Sequence, residues 1–381
     1  MKRLKIMPIF GTRPDAVKMA PLVKELERHP VIEPVVCVTA QHRQMLDQVL
    51  NIFQIKPDID LDIMLERQTL EQVAARTLDR LSAVLEKEKP DMVLVHGDTS
   101  TCFISSLAAF YKQIPIGHVE AGLRTFDKYS PFPEEMNRKL TGALADLHFA
   151  PTASNKANLL NEGINPYKIY ITGNTVIDAM QTTVKNDYVF NSSEMRSINL
   201  EGKRVIAVTA HRRENLGSPL EQICLALNDI TDSYDDVCVI YAVHLNPAVR
   251  ETVFRVLGSN PKVHLIDPLD VQDMHNLMAR SFIIMTDSGG LQEEAPALGK
   301  PVLVLRKETE RPEAVEAGTV KLAGIERGRI KALASQLLDD PAEYERMAKA
   351  VNPYGDGKAS GRIVNAILYE FGVINEKPAE F

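Results

Sequence analysis

Eleven short apolar runs, each followed by a longer stretch with helical spacing, constrain this chain more than any other feature. In the first half the runs are "LKIMPIF", "EPVVCVT", "DMVLVHG", "IPIGHVE", "DLHFA" and "KIYIT". In the second half they are "RVIAVTA", "VCVIYAV", "KVHLI", "FIIMTD" and "PVLVL". The stretch "PDAVKMAPLVKELERH" shows the partner pattern, with Val17, Met19, Ala20, Val23 and Leu26 near one face of a helix. Repeated strand-then-helix units imply parallel sheets covered by helices. At roughly 150 residues per domain, 381 residues call for two domains. The polar stretch "NDYVFNSSEMRSINLEGK" precedes a fresh strand, which puts the boundary at residues 185/186. The expected fold class is α/β, with two doubly wound domains facing a cleft. The final "GRIVNAILYEFGVI" reads as a helix.

Composition narrows the function. A hydrophobic content of 45% and a charged content of 25% suit a soluble globular protein. No apolar run approaches the roughly 20 residues of a membrane span, so no membrane partner is expected. The basic start "MKRLKIMPIFGTRP" has only Ile6 to Phe10 as an apolar part, so it reads as a first strand and not as a signal peptide. A net charge of −7 leaves no footprint for nucleic acid, and an anionic substrate would need a local basic site. Cys37, Cys102, Cys224 and Cys238 are widely spaced and form no metal pattern, which suits a reduced, cytoplasmic protein. The nine histidines show no metal spacing, and no metal is expected. His96, His118, His148 and His264 read as satisfied core or strand-end histidines. No G-x-G-x-x-G follows a strand and no P-loop motif occurs, so nicotinamide chemistry and P-loop hydrolysis lose their usual support.

Ligands of open α/β sheets bind outside the carboxyl ends of the strands. Unusual polar groups fall there: Gly11 to Asp15, Asp98, Glu120 with Arg124, His211 to Asn215, and Ser288-Gly289-Gly290. In "GTRPD", Thr12, Pro14 and Asp15 read as a capping box on a helix start. Capping does not account for Arg13, which could meet an anion. In "TDSGGLQEE", Gly289 and Gly290 would let an anion approach free N–H groups at a helix start. Glu294, about 7 Å further along the axis, would suit hydroxyls such as a ribose diol. A plain glycine-rich turn before a solvated acidic helix explains the same residues. Asp98 reads equally as a cap for "STCFISSLAAF", and Glu120 as a buried acid paired with Arg124. Glu134 and Glu135, after Pro133, read as ordinary first-turn acids. Together, three acids near one cleft suit general acid–base chemistry, because neighbouring acids shift one another's pKa.

The segments "FGTRPDAVKMAPL", "HGDT", "HVEAGLRT", "PEEMNR", "TGNTVIDA", "TAHRRENLG", "TDSGGLQEEAPALGKPVLVLR" and "TERPEA" resemble the bacterial non-hydrolysing UDP-N-acetylglucosamine 2-epimerases over nearly the whole chain. The resemblance implies the GT-B architecture: Rossmann-like domains at 1–185 and 186–360, and a helix at 361–381 returning to the first. It implies interconversion of UDP-GlcNAc and UDP-ManNAc, without a cofactor, by elimination of UDP to 2-acetamidoglucal and re-addition, supplying ManNAc for cell-surface polysaccharide. Asp98, Glu120 and Glu134 match the family's catalytic acids, and His211 matches a histidine near the departing diphosphate. Arg13, Lys18, Ser288, Gly289, Gly290, Glu294 and Arg311 match nucleotide contacts. Leu269 matches the residue whose backbone reads uracil, and Met274 stands where an aromatic residue is common. A second, activating UDP-GlcNAc would match Gln41, His42, Gln44, Arg67, Gln68, Arg212 and His244. A homodimer is expected. Two other readings stay open on the same scaffold: a UDP-sugar glycosyltransferase and a non-catalytic UDP-sugar sensor.

Overall fold

The computed structural model describes residues 3–41, 43–65 and 68–381. The chain divides into two units, the first of residues 1–182 with 354–381 and the second of residues 183–353.

The first unit carries β1 (Leu4–Phe10), β2 (Ile32–Pro34), β3 (Cys37–Val38), β4 (Ile59–Asp60), β5 (Met92–His96), β6 (Ile116–Val119), β7 (Leu147–Ala150) and β8 (Ile169–Ile171). They form one sheet in the order β4-β3-β1-β5-β6-β7-β8, with β2 also on β1. Every pairing is parallel. Ile6, Met7, Ile9 and Phe10 are all fully buried, as expected of a strand covered on both faces. The run "EPVVCVT" is broken rather than continuous. Pro34 offers no N–H, and the Val36 N–H donates to the Asp58 side chain at 2.7 Å instead of to a strand neighbour.

The second unit carries β9 (Arg204–Thr209), β10 (Val237–Ala242), β11 (Val263–Ile266), β12 (Ile283–Thr286), β13 (Val302–Val304) and β14 (Val320–Leu322). Their order is β11-β10-β9-β12-β13-β14, again all parallel. Ile206, Val208, Leu227, Tyr241, Ile283 and Met285 lie in its core. In each unit the chain winds outward from one strand and then restarts on its other side, at β1/β5 in the first and at β9/β12 in the second. Those reversals open a crevice at the strands' carboxyl ends.

The stretch 186–203 is an ordered part of the second unit. Phe190 and Met195 are buried, and residues Ser193–Ser197 form a short helix. The Asp273 carboxylate accepts from Tyr188 Oη at 2.7 Å and from the Asn191 and Ser192 N–H groups at 2.8 Å. The closing helix spans Ala359–Glu370. Asp178 of the first unit caps it, accepting from the Ala359 and Ser360 N–H groups at 3.1 and 2.7 Å. Among the described residues, no helix is long and apolar enough to cross a membrane.

Candidate active site

The first unit gathers its chemistry at the ends of β1, β5 and β6, which are adjacent in the sheet. Gly11 follows β1 at a position where nothing larger fits: a Cβ there would lie 1.8 Å from Thr39 Oγ1. The helix Arg13–Arg28 starts at once. Asp15 is buried and accepts from the Thr12 N–H at 3.3 Å and the Thr12 hydroxyl at 2.5 Å. Thr12 and Asp15 thus form the expected capping box at the helix start. Thr99 Oγ1, from the turn after β5, reaches the same carboxyl at 3.2 Å. Burial pushes Asp15 up to about 6, against the pull of the Thr12 hydrogen bond. Arg13 is exposed at the first helical position.

Asp98 is not the cap expected as its alternative role. Thr99 caps the helix Ser100–Tyr111, accepting from the Cys102 N–H at 3.2 Å, which leaves the Asp98 carboxylate to pair with Arg138. Burial raises the proton affinity of Asp98; Arg138 opposes that, and the Glu120 charge adds to it. Arg138 also meets Glu135 at 3.4 Å. Glu135 is buried and holds the Thr125 and Phe126 N–H groups at 3.0 and 3.1 Å. Glu134 begins the same helix, Glu134–Leu144, four residues before Arg138. That spacing puts it one turn from the partner of Asp98.

Glu120 does not pair with Arg124. Arg124 makes two bonds to Glu162, at 2.8 and 2.7 Å. The Glu120 carboxylate instead meets Lys18 Nζ, Asn174 Nδ2 at 2.8 Å and His96 Nε2 at 3.7 Å. Lys18, matched to a nucleotide contact by resemblance, here neutralises a candidate catalytic acid. The histidines of β5, β6 and β7 are buried, and burial pushes His96 and His148 down to about 4 and His118 to about 3. They are neutral at pH 7. His118 Nε2 meets the Gly97 carbonyl at 2.8 Å, but His96 Nε2, His118 Nδ1 and His148 Nδ1 lack a hydrogen-bond partner. "Satisfied core histidine" was thus too simple a reading. His264 lies on β11, half-buried.

In the second unit, Asp287 is fully buried between β12 and the turn after β9. Its Oδ2 accepts from the His211 and Arg212 N–H groups, both at 2.7 Å, and from Asn215 Nδ2 at 3.0 Å. Tyr241 Oη donates to the Ala210 carbonyl at 3.0 Å. The "HRREN" turn is therefore fixed from below. His211 lies flat on the His244 ring, with centroids 5.0 Å apart and planes at 7°. Burial lowers its proton affinity, opposed by Asp287 and aided by His244.

Ser288 precedes the short helix Gly289–Glu294. A Cβ on Gly289 or Gly290 would come no closer than 3.7 or 3.3 Å to a neighbouring side chain. A side chain at Gly289 would thus rest against Arg311, and one at Gly290 would crowd the Glu294 carboxylate. Glu293 turns inward, buried, and pairs with Arg311. Glu294 faces His275 Nε2 at 3.3 Å. Leu269 and Met274 are half-buried around the N-cap Asp270 of the helix Val271–Arg280.

Of the residues matched to an activator, Gln41 accepts from Thr101 Oγ1 at 2.9 Å, and Gln68 accepts from the Leu65 N–H and Arg76 at 3.1 Å. Gln44 is exposed on the helix Arg43–Ile52, Arg212 is half-buried and His244 is exposed. His42 and Arg67 lie outside the described residues.

The clustered acids at the ends of β5 and β6, each paired with a cation, suit acid–base chemistry. A family model described as UDP-N-acetylglucosamine 2-epimerase matches residues 24–368. The chain belongs to the UDP-N-acetylglucosamine 2-epimerase family. It is similar to the UDP-N-acetylglucosamine 2-epimerase of Bacillus subtilis, with 58% identity over 100% of this chain and 99% of that protein. A crystal structure of a UDP-N-acetylglucosamine 2-epimerase matches with 56% identity, a TM-score of 0.93 and complete coverage of both chains. The UDP-GlcNAc 2-epimerase from Neisseria meningitidis, solved bound to UDP-GlcNAc, matches with 50% identity and a TM-score of 0.86, over 96% of this chain and 100% of that one. Membership of this epimerase family makes the chain an isomerase on a two-domain α/β fold.

Sequence reasoning missed four residues that the site depends on: Arg138, Glu135, Asn174 and the acceptor role of Asp287. Each sat inside a quoted motif. None advertised its partner, because each acts on a group 10 to 76 residues away.

Proposed function

We propose that the enzyme interconverts UDP-GlcNAc and UDP-ManNAc by eliminating UDP and adding it back through 2-acetamidoglucal. The C2 proton of GlcNAc is not beside a carbonyl, so direct abstraction is difficult. Elimination separates the step into proton transfer and departure of a stable diphosphate. Asp98, Glu120 and Glu134 are the acid–base groups, and His211 and Arg13 face the departing diphosphate. Ser288, Gly289, Gly290 and Arg311 hold the phosphates, Glu294 holds the ribose, and Leu269 with Met274 borders the uracil. The observation that carries this reading is that Asp98 and Glu120 stand just beyond the neighbouring strands β5 and β6, Asp98 paired with Arg138 and Glu120 with Lys18. Burial raises the proton affinity of Asp98 and the neighbouring Glu120 charge adds to it, which suits a group that gives up and takes back a proton. Incubation with UDP-GlcNAc as the only substrate tests it. UDP-ManNAc is the expected product. A glycosyltransferase would give slow hydrolysis at most, and a sensor would give no turnover; either result refutes the reading.

A second UDP-GlcNAc activates the enzyme in this reading, held by Gln41, His42, Gln44, Arg67, Gln68, Arg212 and His244. Its support is the ring of His244 lying against His211, which would let an occupant of one site be felt at the other. Such a ligand shifts the enzyme only as far as it prefers the active state. Pure UDP-ManNAc should therefore be converted slowly until a little UDP-GlcNAc is added, and His244→Ala or Arg67→Ala should blunt that response. Full-rate conversion of pure UDP-ManNAc, without lag or response, would remove the activator site.

A further inference from the structure

Asn174 follows β8 and begins the helix Thr175–Thr183, and it is almost wholly buried. Its Oδ1 accepts from the Val176 N–H at 3.1 Å. With the oxygen so used, the amide nitrogen must face the other way, and it donates to Glu120 Oε2 at 2.8 Å. The contact reaches across the sheet, because β7 separates β8 from β6. The Asn174 backbone is registered too: its N–H donates to the Tyr354 carbonyl at 2.6 Å, where the chain rejoins the first unit. Gly173 makes that approach possible. It has φ +83, and a Cβ there would lie 3.3 Å from Gly355 Cα. Glu120 has φ 62, a left-handed conformation rare for a residue with a side chain. A carboxylate on such backbone keeps its aim only if its surroundings hold it.

We propose that Asn174 is a positioning residue for Glu120, its amide N–H fixing the carboxylate in the direction and charge state that proton transfer at the sugar requires. This rests on Glu120 being one of the acid–base groups. A helix cap alone would explain Oδ1, but aspartate or serine caps as well as asparagine. Aspartate has no donor for the carboxylate and serine is too short to reach it, whereas the asparagine amide caps with Oδ1 and donates with Nδ2.

Asn174→Asp separates the two roles. The cap survives, while the donor becomes a second carboxylate beside Glu120. Among the described residues, the other charged or titratable groups near Glu120 include Lys18 of the helix Arg13–Arg28, His96 at the end of β5, Asp98 of the following turn and buried Cys102, all unchanged. Turnover should fall roughly 10–100-fold, the factor a charge-assisted hydrogen bond carries. The affinity for UDP should stay within about twofold, since no phosphate contact is touched. The acidic limb of the kcat–pH profile should move to higher pH, because a like charge disfavours ionisation. If the aspartate variant does not fold, Asn174→Ser keeps the cap, is too short to reach Glu120, and should lose turnover with normal UDP binding. Wild-type turnover and an unmoved pH profile in a folded variant would overturn the proposal. Glu120→Gln serves as the control. If it is inactive while Asn174→Asp is fully active, only the positioning role fails. If Glu120→Gln itself is fully active, the assignment of Glu120 fails.

Discussion

Asp98→Asn, Glu120→Gln and Glu134→Gln should each lower turnover by at least about a hundredfold, the low end for general acid–base groups. All three changes preserve volume, so little packing is lost. In Asp98→Asn, Arg138 keeps its ion pair with Glu135, so no buried cation is stranded. In Glu120→Gln, Asn174 can still donate to the amide oxygen, although the Lys18 ion pair with Glu120 is lost. Glu134 is half-buried at the start of its helix, and its substitution is the third kinetic probe. UDP affinity, measured by calorimetry, should change little by comparison, because the proposed phosphate contacts at Ser288, Gly289 and Gly290 are untouched. Near-normal turnover in all three variants would leave the catalytic assignment without support.

Asp287→Ala should destabilise the second unit strongly, by about 3 kcal/mol or more. One buried oxygen of Asp287 serves three donors. An unsatisfied buried donor costs about 1–3 kcal/mol. Asn215 is itself buried, so its amide cannot turn to water, although it keeps a bond to the Leu305 carbonyl at 3.0 Å. Asp287→Asn retains an acceptor and should cost less. Urea denaturation followed by circular dichroism gives the comparison. An alanine variant within about 1 kcal/mol of wild type, less than a typical lost polar contact, would show that Asp287 does not organise the "HRREN" turn.

Strand positions were legible because each long run was apolar throughout and flanked by turn residues. The two strands not foreseen, β4 and β14, have two and three residues, too few for any period to register. The split of "EPVVCVT" was hidden because it depends on Asp58, about twenty residues away. At the site, residues at strand ends were readable from topology alone: Asp98, Glu120, His211 and Ser288 all fall just beyond a strand. Their partners were not. Sequence spacing offered Arg124 for Glu120, but folding gave Arg124 to Glu162 and brought Lys18 from a helix 102 residues away. Local patterns report helical neighbours and caps, whereas ion pairs across a parallel sheet follow from strand order, which no single segment encodes.

The central claim is that the C2 proton is lost to solvent while UDP departs and returns. Proton NMR of UDP-GlcNAc with the enzyme in D₂O tests it most directly. The account predicts that UDP-ManNAc forms with deuterium at C2, accompanied by transient 2-acetamidoglucal and UDP. Epimerised product that retains its original C2 hydrogen would contradict it.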